Sequence, residues 1–241
     1  MGLRRSCVEC TVRGAHCFCS LNIAALRQLD RMGKQVTFGA GETVVEEGGD
    51  PEQICVVCKG VLKLTTSSSE GRILLLRIVG PGDVLGLAAA LKGTSYEATA
   101  EALEECEVRV IDRADFLRFM KEFQGVGTNS AETMAREYET AVLSARRLAL
   151  SGSAAGRLVN VLLDWGKMSA RRSATDDAQE KDDRALRFRM PLTHEELGNM
   201  AGITRETTTR ILSKLKGEGL IEVNGQRMVL LLPSQLERLY C

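Results

Sequence analysis

The segment from Leu192 to Leu220 constrains the fold of this chain more than any other, because it carries the signals of two short helices joined by a glycine turn. Thr193 is a typical N-cap, and acidic residues follow it in the first turn, where the helix dipole favours negative charge. Gly202 ends the first helix, since glycine adopts a left-handed conformation at little cost. Thr204 then caps a second helix over about Arg205 to Lys216. The segment therefore predicts a helix-turn-helix unit.

The second of these helices has the pattern of a DNA-reading helix. Ile211, Leu212 and Leu215 recur at helical spacing and form an inward face, while polar and basic residues lie outward near the helix start. Arginine can make two hydrogen bonds to guanine, glutamate can accept one from cytosine, and threonine suits several base edges. A solvated amphipathic helix is the alternative interpretation. The expected DNA-contacting residues are Thr193, Thr204, Arg205, Glu206, Thr208, Thr209, Arg210 and Lys214.

Two apolar runs follow this unit, from Leu220 to Val223 and from Met228 to Leu232. Asn224-Gly225 between them is a strong hairpin signal, so the C-terminal part predicts a winged helix. The preceding segment from Ser169 to Arg184 is polar and charged, and we expect a loop or linker there.

Composition favours a regulator over an enzyme. The 241 residues suffice for two domains, and 32 basic against 32 acidic side chains leave no net charge to drive unselective binding to nucleic acid. The chain lacks a glycine-rich phosphate loop and a recognisable Ser/His/Asp motif, so we expect no catalytic activity. No apolar run approaches the ~20 residues of a membrane span, and residues 1–20 lack the apolar stretch of a signal peptide. We therefore expect a cytoplasmic protein with no membrane partner.

The N-terminal half predicts a β-rich domain. A helical pattern from Leu21 to Met32 is followed, from Gln35 to about Val110, by short apolar runs separated by turn signals. Regular spacing of this kind is typical of a small antiparallel barrel or jelly roll.

A long helix is predicted from about Ala131 to Leu150, after an interruption at Gly125, Gly127 and Asn129. Its apolar positions alternate spacings of four and three, which is the heptad period of a coiled-coil interface. We expect a homodimer along this face because two-fold DNA sites require two-fold proteins, and packing on the chain's own barrel is the alternative. These positions, called here the dimer stripe, are Met134, Tyr138, Ala141, Ala145 and Leu148.

Barrel, long helix and winged helix, in this order, resemble the CRP/FNR family of bacterial transcription regulators over nearly the whole chain. The motifs that carry the resemblance are Gly60 to Leu64, Gly80 to Gly86 and Ile203 to Leu212. It implies an α+β fold with a cyclic-nucleotide-binding-like jelly roll, a long dimerisation helix and a C-terminal winged helix-turn-helix. It also implies double-stranded DNA with an inverted-repeat operator, a second copy of the chain and RNA polymerase as partners. The implied domains are an N-terminal arm (1–20), a sensory barrel (21–128), the dimerisation helix (129–152) and the DNA-binding domain (153–241).

The resemblance disfavours a cyclic nucleotide as the signal. Family members that bind one use a Gly-Glu pair and an Arg-Ser-Ala segment, and the matching positions here are Gly86-Leu87 and Tyr96-Glu97-Ala98. The guanidinium that suits phosphate is absent and Glu97 adds like charge. A small-molecule effector of another kind in the barrel is an alternative.

Four of the eight cysteines lie close together in the arm. Such spacing in a chain expected to be cytoplasmic favours metal ligands or redox thiols over structural disulfides. The arm resembles that of the FNR branch, in which three arm cysteines and one distant cysteine hold an oxygen-labile [4Fe–4S] cluster. The resemblance implies Cys7, Cys10 and Cys19 as ligands, Cys17 as the alternative third ligand, and Cys106 as the distant one.

Several alternatives remain open for these cysteines. A zinc site or a thiol–disulfide switch uses the same residues, and a buried structural thiol competes with the ligand role at Cys106. Cys55 and Cys58 fall in an apolar strand pattern on opposite faces and are expected in the core. His16 is a weaker ligand candidate and is expected in an exposed loop. We expect loss of the cluster to weaken the DNA-binding dimer, and the opposite polarity, in which the cluster-free protein binds DNA, is the alternative.

Overall fold

The computed structural model describes residues 6–11, 13–14, 17–173 and 185–240, so His16 lies outside the described residues. The chain forms two compact units, Met1–Ala141 and Val142–Cys241. Within the part of the chain that is described, no helix combines the length and hydropathy that a membrane span requires.

Eight strands form the body of the first unit. They are β1 (Lys34–Phe38), β2 (Thr43–Val45), β3 (Gln53–Lys59), β4 (Leu62–Ser67), β5 (Ile73–Val79), β6 (Val84–Leu85), β7 (Thr99–Ala102) and β8 (Cys106–Asp112). They make two four-stranded antiparallel sheets with the orders β1-β8-β3-β6 and β2-β7-β4-β5. The predicted jelly-roll domain is confirmed.

Four helices accompany these sheets, namely α1 (Ile23–Met32), α2 (Leu87–Lys92), α3 (Arg113–Glu122) and α4 (Gln124–Leu150). The β1-β8-β3-β6 sheet is packed on both faces, and neighbouring residues of each strand point to opposite faces. Cys55 and Val57 on one face join the core shared with the second sheet, which we call the inner core. Ile54 and Val56 on the other face pack in an outer core with the arm and with α1, α2 and α3.

The start of α4 differs from the prediction. The helix begins at Gln124, so Gly125 and Gly127 do not interrupt it. Each glycine costs a helix about 1 kcal/mol relative to alanine, but Val126 between them is fully buried in the outer core. Burial of a valine side chain is worth about 1.5–3 kcal/mol, which offsets most of that cost.

The second unit combines helices with a three-stranded sheet. Its elements are α5 (Ala154–Ser173), β9 (Leu186–Arg189), α6 (His194–Ala201), α7 (Arg205–Gly217), β10 (Ile221–Asn224), β11 (Arg227–Leu230) and α8 (Pro233–Tyr240). The sheet has the antiparallel order β10-β11-β9, which confirms the predicted winged helix-turn-helix.

The predicted loop from Ser169 to Arg184 needs a correction at its start, because α5 continues to Ser173. Alanine and arginine in this stretch have high helix propensity and allow the helix to extend beyond its apolar part. The rest of the expected loop, residues 174–184, lies outside the described residues.

Candidate functional site

Capping interactions fix the helix-turn-helix locally. The Thr193 side chain accepts a hydrogen bond from the Glu196 backbone N–H, and the Glu196 carboxylate accepts one from the Thr193 N–H at 2.8 Å, which completes a capping box. Gly202 ends α6 with a φ of +63°. Gly198 is a feature that the sequence reading missed, since a Cβ there would lie 2.7 Å from the Ile203 carbonyl oxygen. The two helices therefore depend on glycine at their crossing point.

The outward face of α7 carries most of the expected DNA-contacting side chains. Arg205, Glu206, Thr209, Arg210 and Lys214 are exposed, together with the cap residues Thr193 and Thr204. Backbone and side-chain hydrogen bonds at the helix N-terminus hold the pKa of Glu206 below its usual range, so this carboxylate is ready to accept hydrogen bonds. The arrangement suits insertion of the first turns of α7 into a major groove.

Thr208 requires a correction. Its side chain is fully buried, and its hydroxyl donates a hydrogen bond to the Thr204 carbonyl oxygen at 3.0 Å. It belongs to the inward face of α7 with Ile211 and Leu215 and is not available to DNA.

Two further groups were missed by the sequence reading. His194 at the start of α6 places its Nδ1 atom 2.8 Å from the Thr209 hydroxyl and so helps to hold that side chain in position.

The second group lies on the wing sheet, where Arg189 and Arg227 are exposed and directly opposite each other on β9 and β11. Like charges in this position repel one another, and a DNA phosphate would relieve that repulsion. Arg227, two residues after Gly225 of the hairpin turn, was an available signal in the sequence, whereas Arg189 and His194 had no local signal.

A second candidate site is a cavity of about 360 Å³ in the first unit, where the arm faces the outer side of the β1-β8-β3-β6 sheet. We call it the cysteine cavity. At ~30 Å³ per water molecule it has room for about a dozen waters, much more than one metal ion requires. Five of its lining residues are Cys7, Cys10, Cys17, Cys19 and Cys58.

Hydrogen bonds attach the arm beside this cavity. The Cys7 backbone N–H donates to both Asp30 carboxylate oxygens at 2.8 and 3.0 Å, and Asp30 pairs with the buried Arg109 guanidinium at 3.1 Å. The Phe18 N–H donates to the Gly82 carbonyl oxygen at 2.9 Å. Gly82 has a φ of +92°, and a Cβ there would come within 2.3 Å of the Cys17 sulfur. Glycine is therefore required where the arm crosses the turn before β6.

The arm also contacts α4. The Asn129 side-chain amide donates hydrogen bonds to the carbonyl oxygens of Phe18 and Ser20 at 3.0 and 2.9 Å. Phe18 is buried beside Phe116, with ring centroids 6.0 Å apart. A displacement of the arm therefore breaks hydrogen bonds to the first turns of α4.

Burial in the cavity affects the thiols. It raises the pKa of Cys7 and of Cys19 to about 12. Both side chains are therefore protonated at neutral pH, and a metal must displace these protons to bind. Within the described ranges, no three Cys, His, Asp or Glu side chains are grouped as the ligands of a single metal ion would be. The thiols are instead distributed around the cavity.

The expected distant ligand, Cys106, is not among the lining residues and needs a correction. It is fully buried in the inner core, where its Sγ lies 3.2 and 3.4 Å from the Glu104 and Val61 carbonyl oxygens. The expectation that Cys55 and Cys58 have opposite orientations agrees with the structure, but only Cys55 is a core residue. Cys58 is half-buried and faces the cavity.

The dimer stripe is partly occupied by contacts within the chain. Met134 packs against the outer core, and a Leu148 methyl group lies 3.1 Å from where a Cβ of Gly202 would be. Tyr138, Ala141 and Ala145 are exposed. Two further exposed apolar residues of α4 fall outside the heptad pattern. Val142 lies beside the stripe, whereas Leu143 lies on the opposite side of the helix.

Comparisons with known proteins agree with this architecture. Residues 35–123 match the cyclic nucleotide-binding domain family, and residues 156–239 match the Crp-like helix-turn-helix domain family. The nitrogen fixation regulation protein FixK of Bradyrhizobium diazoefficiens is 29% identical over 97% of this chain and 93% of its own length. The transcriptional activator protein FnrL of Cereibacter sphaeroides is 28% identical over 93% of this chain and 87% of its own length.

A solved structure, that of FixK2 from Bradyrhizobium japonicum, shares the fold with a TM-score of 0.72 at 24% identity, and covers 87% of this chain and 98% of that one. The relatives are regulators, which confirms the expectation that the chain is not an enzyme. Both domain matches in the expected order, together with these relatives, show that the chain belongs to the CRP/FNR family of transcription regulators.

Proposed function

We propose that this transcription regulator binds an inverted-repeat operator as a homodimer and is controlled by a [4Fe–4S] cluster that oxygen, nitric oxide or a change in redox state destroys. The observation that carries the proposal is the cysteine cavity, in which four arm thiols and one barrel thiol face a single space. Thiolates are the ligands that iron–sulfur clusters require.

The distribution of the thiols favours a cluster over a zinc ion. A zinc site needs its sulfur ligands to converge on one atom at about 2.3 Å, whereas the irons of a cluster accept one thiolate at each of several separate corners. The cavity has the volume for the larger group, and cysteines occur at several points of its lining. Cys7, Cys10 and Cys19 are the proposed arm ligands, with Cys17 as the alternative to Cys19.

When bound, the cluster supplies a labile attachment between the arm and the barrel. The protein's own contacts carry the effect further, because Asn129 bonds the arm to α4 through Phe18 and Ser20. Loss of the attachment frees the arm, removes these contacts and changes the start of the helix that carries the dimer stripe.

The dimer itself is suited to such control. The exposed part of the stripe consists of Tyr138 and two alanines, with Val142 beside it. Alanine buries little apolar area, so we expect a marginal association that a few kcal/mol can shift. Dimerisation would set two α7 helices ~34 Å apart on one face of DNA, where exposed Arg205, Glu206 and Arg210 read base edges.

The proposal is tested on protein purified without oxygen. Iron, sulfide and zinc are measured per chain, and operator binding is followed by gel shift before and after exposure to air. We expect iron and sulfide in similar amounts and DNA binding that changes as they are lost. The double variant C7S/C10S should lack both the cluster and the response to air, whereas C55A, altered in the inner core, should retain them. Stoichiometric zinc, or DNA binding indifferent to iron content, would contradict the proposal.

A small-molecule effector in the barrel is the second candidate, supported by the match to the cyclic nucleotide-binding domain family. The segment expected to hold phosphate has other contacts here, since the Tyr96 hydroxyl donates to the Gln53 carbonyl oxygen at 2.8 Å and Glu97 pairs with Lys92 at 3.5 Å. This candidate predicts a protein without iron whose DNA affinity responds to an added metabolite.

A further inference from the structure

We propose that Cys58, and not Cys106, is the barrel ligand that completes the cluster site with Cys7, Cys10 and Cys19. This inference rests on the proposed function and adds the assignment of the ligand to β3, the strand next to β8. It follows from the faces of the two strands, from the residue that occupies the cavity side of β8, and from the surroundings of the Cys58 thiol.

The alternation of side chains separates the two candidate cysteines. On β3, Cys55 and Val57 belong to the inner core, whereas Ile54 and Val56 belong to the outer core. Cys58 is on the same face as Ile54 and Val56 and lines the cysteine cavity. On β8, Cys106 and Val108 belong to the inner core. A sheet lies between Cys106 and the arm, so its sulfur cannot reach the cavity without a rearrangement of β8.

The cavity side of β8 is already occupied by an arginine. Arg109, three residues after Cys106 and therefore on the opposite face, lines the cavity and is 1% exposed. Its guanidinium pairs with Asp30 at 3.1 Å. Arg109 is opposite Val56 in the ladder. Cys58 lies two residues after Val56, at a register shift between the pairs Val57–Val108 and Lys59–Glu107, and it lines the same cavity as Arg109. The thiol that β8 does not provide is thus available on β3.

The surroundings of Cys58 support the grouping. Cys58 lines the same cavity as Cys7, Cys10 and Cys19. The Cys106 Sγ lies instead against the Glu104 and Val61 carbonyl oxygens, at 3.2 and 3.4 Å.

A positive charge lies beside the proposed thiolate ligands. On binding, each thiol releases its proton to water and its sulfur gives an electron pair to iron. Four thiolates thereby bring negative charge into a partly buried cavity, and the Arg109 guanidinium on the cavity wall offsets part of it.

The test compares wild-type protein with C58A, C106A and C55A, each reconstituted anaerobically with ferrous iron and sulfide. Iron, sulfide and visible absorption are measured per chain, and thermal unfolding of each iron-free variant reports its folding. We expect C58A to lose most of its iron and sulfide, and C106A and the matched control C55A to keep the wild-type amounts. Loss in C106A with retention in C58A would overturn the assignment.

A second measurement avoids substitution altogether. Wild-type protein is alkylated with and without the cluster, and the modified cysteines are quantified by mass spectrometry. Cys58 should be protected several-fold when the cluster is present, whereas fully buried Cys106 should react equally little in both forms. Equal labelling of Cys58 in the two forms would refute the inference even if a variant misfolds or both variants lose iron. Wild-type protein that takes up no iron and sulfide would instead refute the proposed function, and the assignment with it.

Discussion

Replacement of Asn129 by alanine tests the connection between the arm and the long helix. The substitution removes the two hydrogen bonds to the Phe18 and Ser20 carbonyl oxygens. A net hydrogen bond contributes about 0.5–1.5 kcal/mol, and the bond to Ser20 is solvent-exposed, so we expect a loss of ~1–2 kcal/mol in the attachment of the arm. Since ~1.4 kcal/mol is a factor of ten, the open state of the arm should become roughly 5- to 30-fold more populated.

The assay is amide hydrogen exchange of the arm, followed at the Phe18 N–H that is bonded to the Gly82 carbonyl oxygen. In N129A its exchange should accelerate by the same factor, while core amides of β3 and β8 keep their protection. The matched control is T128A, because the Thr128 hydroxyl is exposed and donates a hydrogen bond within its own helix, to the Gln124 carbonyl oxygen at 3.4 Å. Exchange of the arm in N129A that stays within twofold of wild type, or equal acceleration in T128A, would show that Asn129 does not hold the arm.

Three other substitutions have specific expected outcomes. R210A should weaken binding to the specific operator by about 1–3 kcal/mol and leave non-specific binding almost unchanged in gel shifts, whereas equal losses on both DNAs would argue against base readout. R227A, at the wing, should weaken binding to all sequences alike and lower the slope of affinity against salt concentration by about one; an unchanged slope would exclude a phosphate contact. Y138D puts a charge on the exposed stripe and should shift sedimentation towards the monomer without lowering the unfolding temperature by more than a few degrees, and an intact dimer would locate the interface elsewhere.

The parts of the structure with local causes were predictable from the sequence. The caps at Thr193 and Thr204 and the turn at Gly202 act within a few residues, so the helix-turn-helix could be recognised without tertiary information. Asn224-Gly225 set the wing hairpin in the same way. The jelly roll was predictable as a class from the spacing of its turns, although α2 and α3 of the first unit were not recognised. In the second unit, α5, β9 and α8 were not recognised.

Features that depend on tertiary packing were not predictable. Strand alternation separates Cys55 from Cys58, but it does not tell which face of the sheet the arm covers. The width of the buried face of α7, which includes Thr208, depends on how closely α6 approaches at Gly198. The helix through Gly125 and Gly127 depends on burial of Val126 by distant parts of the chain. In each case a non-local contact outweighs the local preference.

The β1-β8-β3-β6 sheet is covered on both sides, and this has a consequence for signalling. Its strands separate two compartments, the interior shared with the second sheet and the cysteine cavity beneath the arm. Because close-packed interiors transmit small displacements, a group that moves β3 on one side must be accommodated by the side chains on the other. One partition of four strands thus couples the side chains of the inner core mechanically to those that line the cysteine cavity, so that a displacement on either face is transmitted to the other.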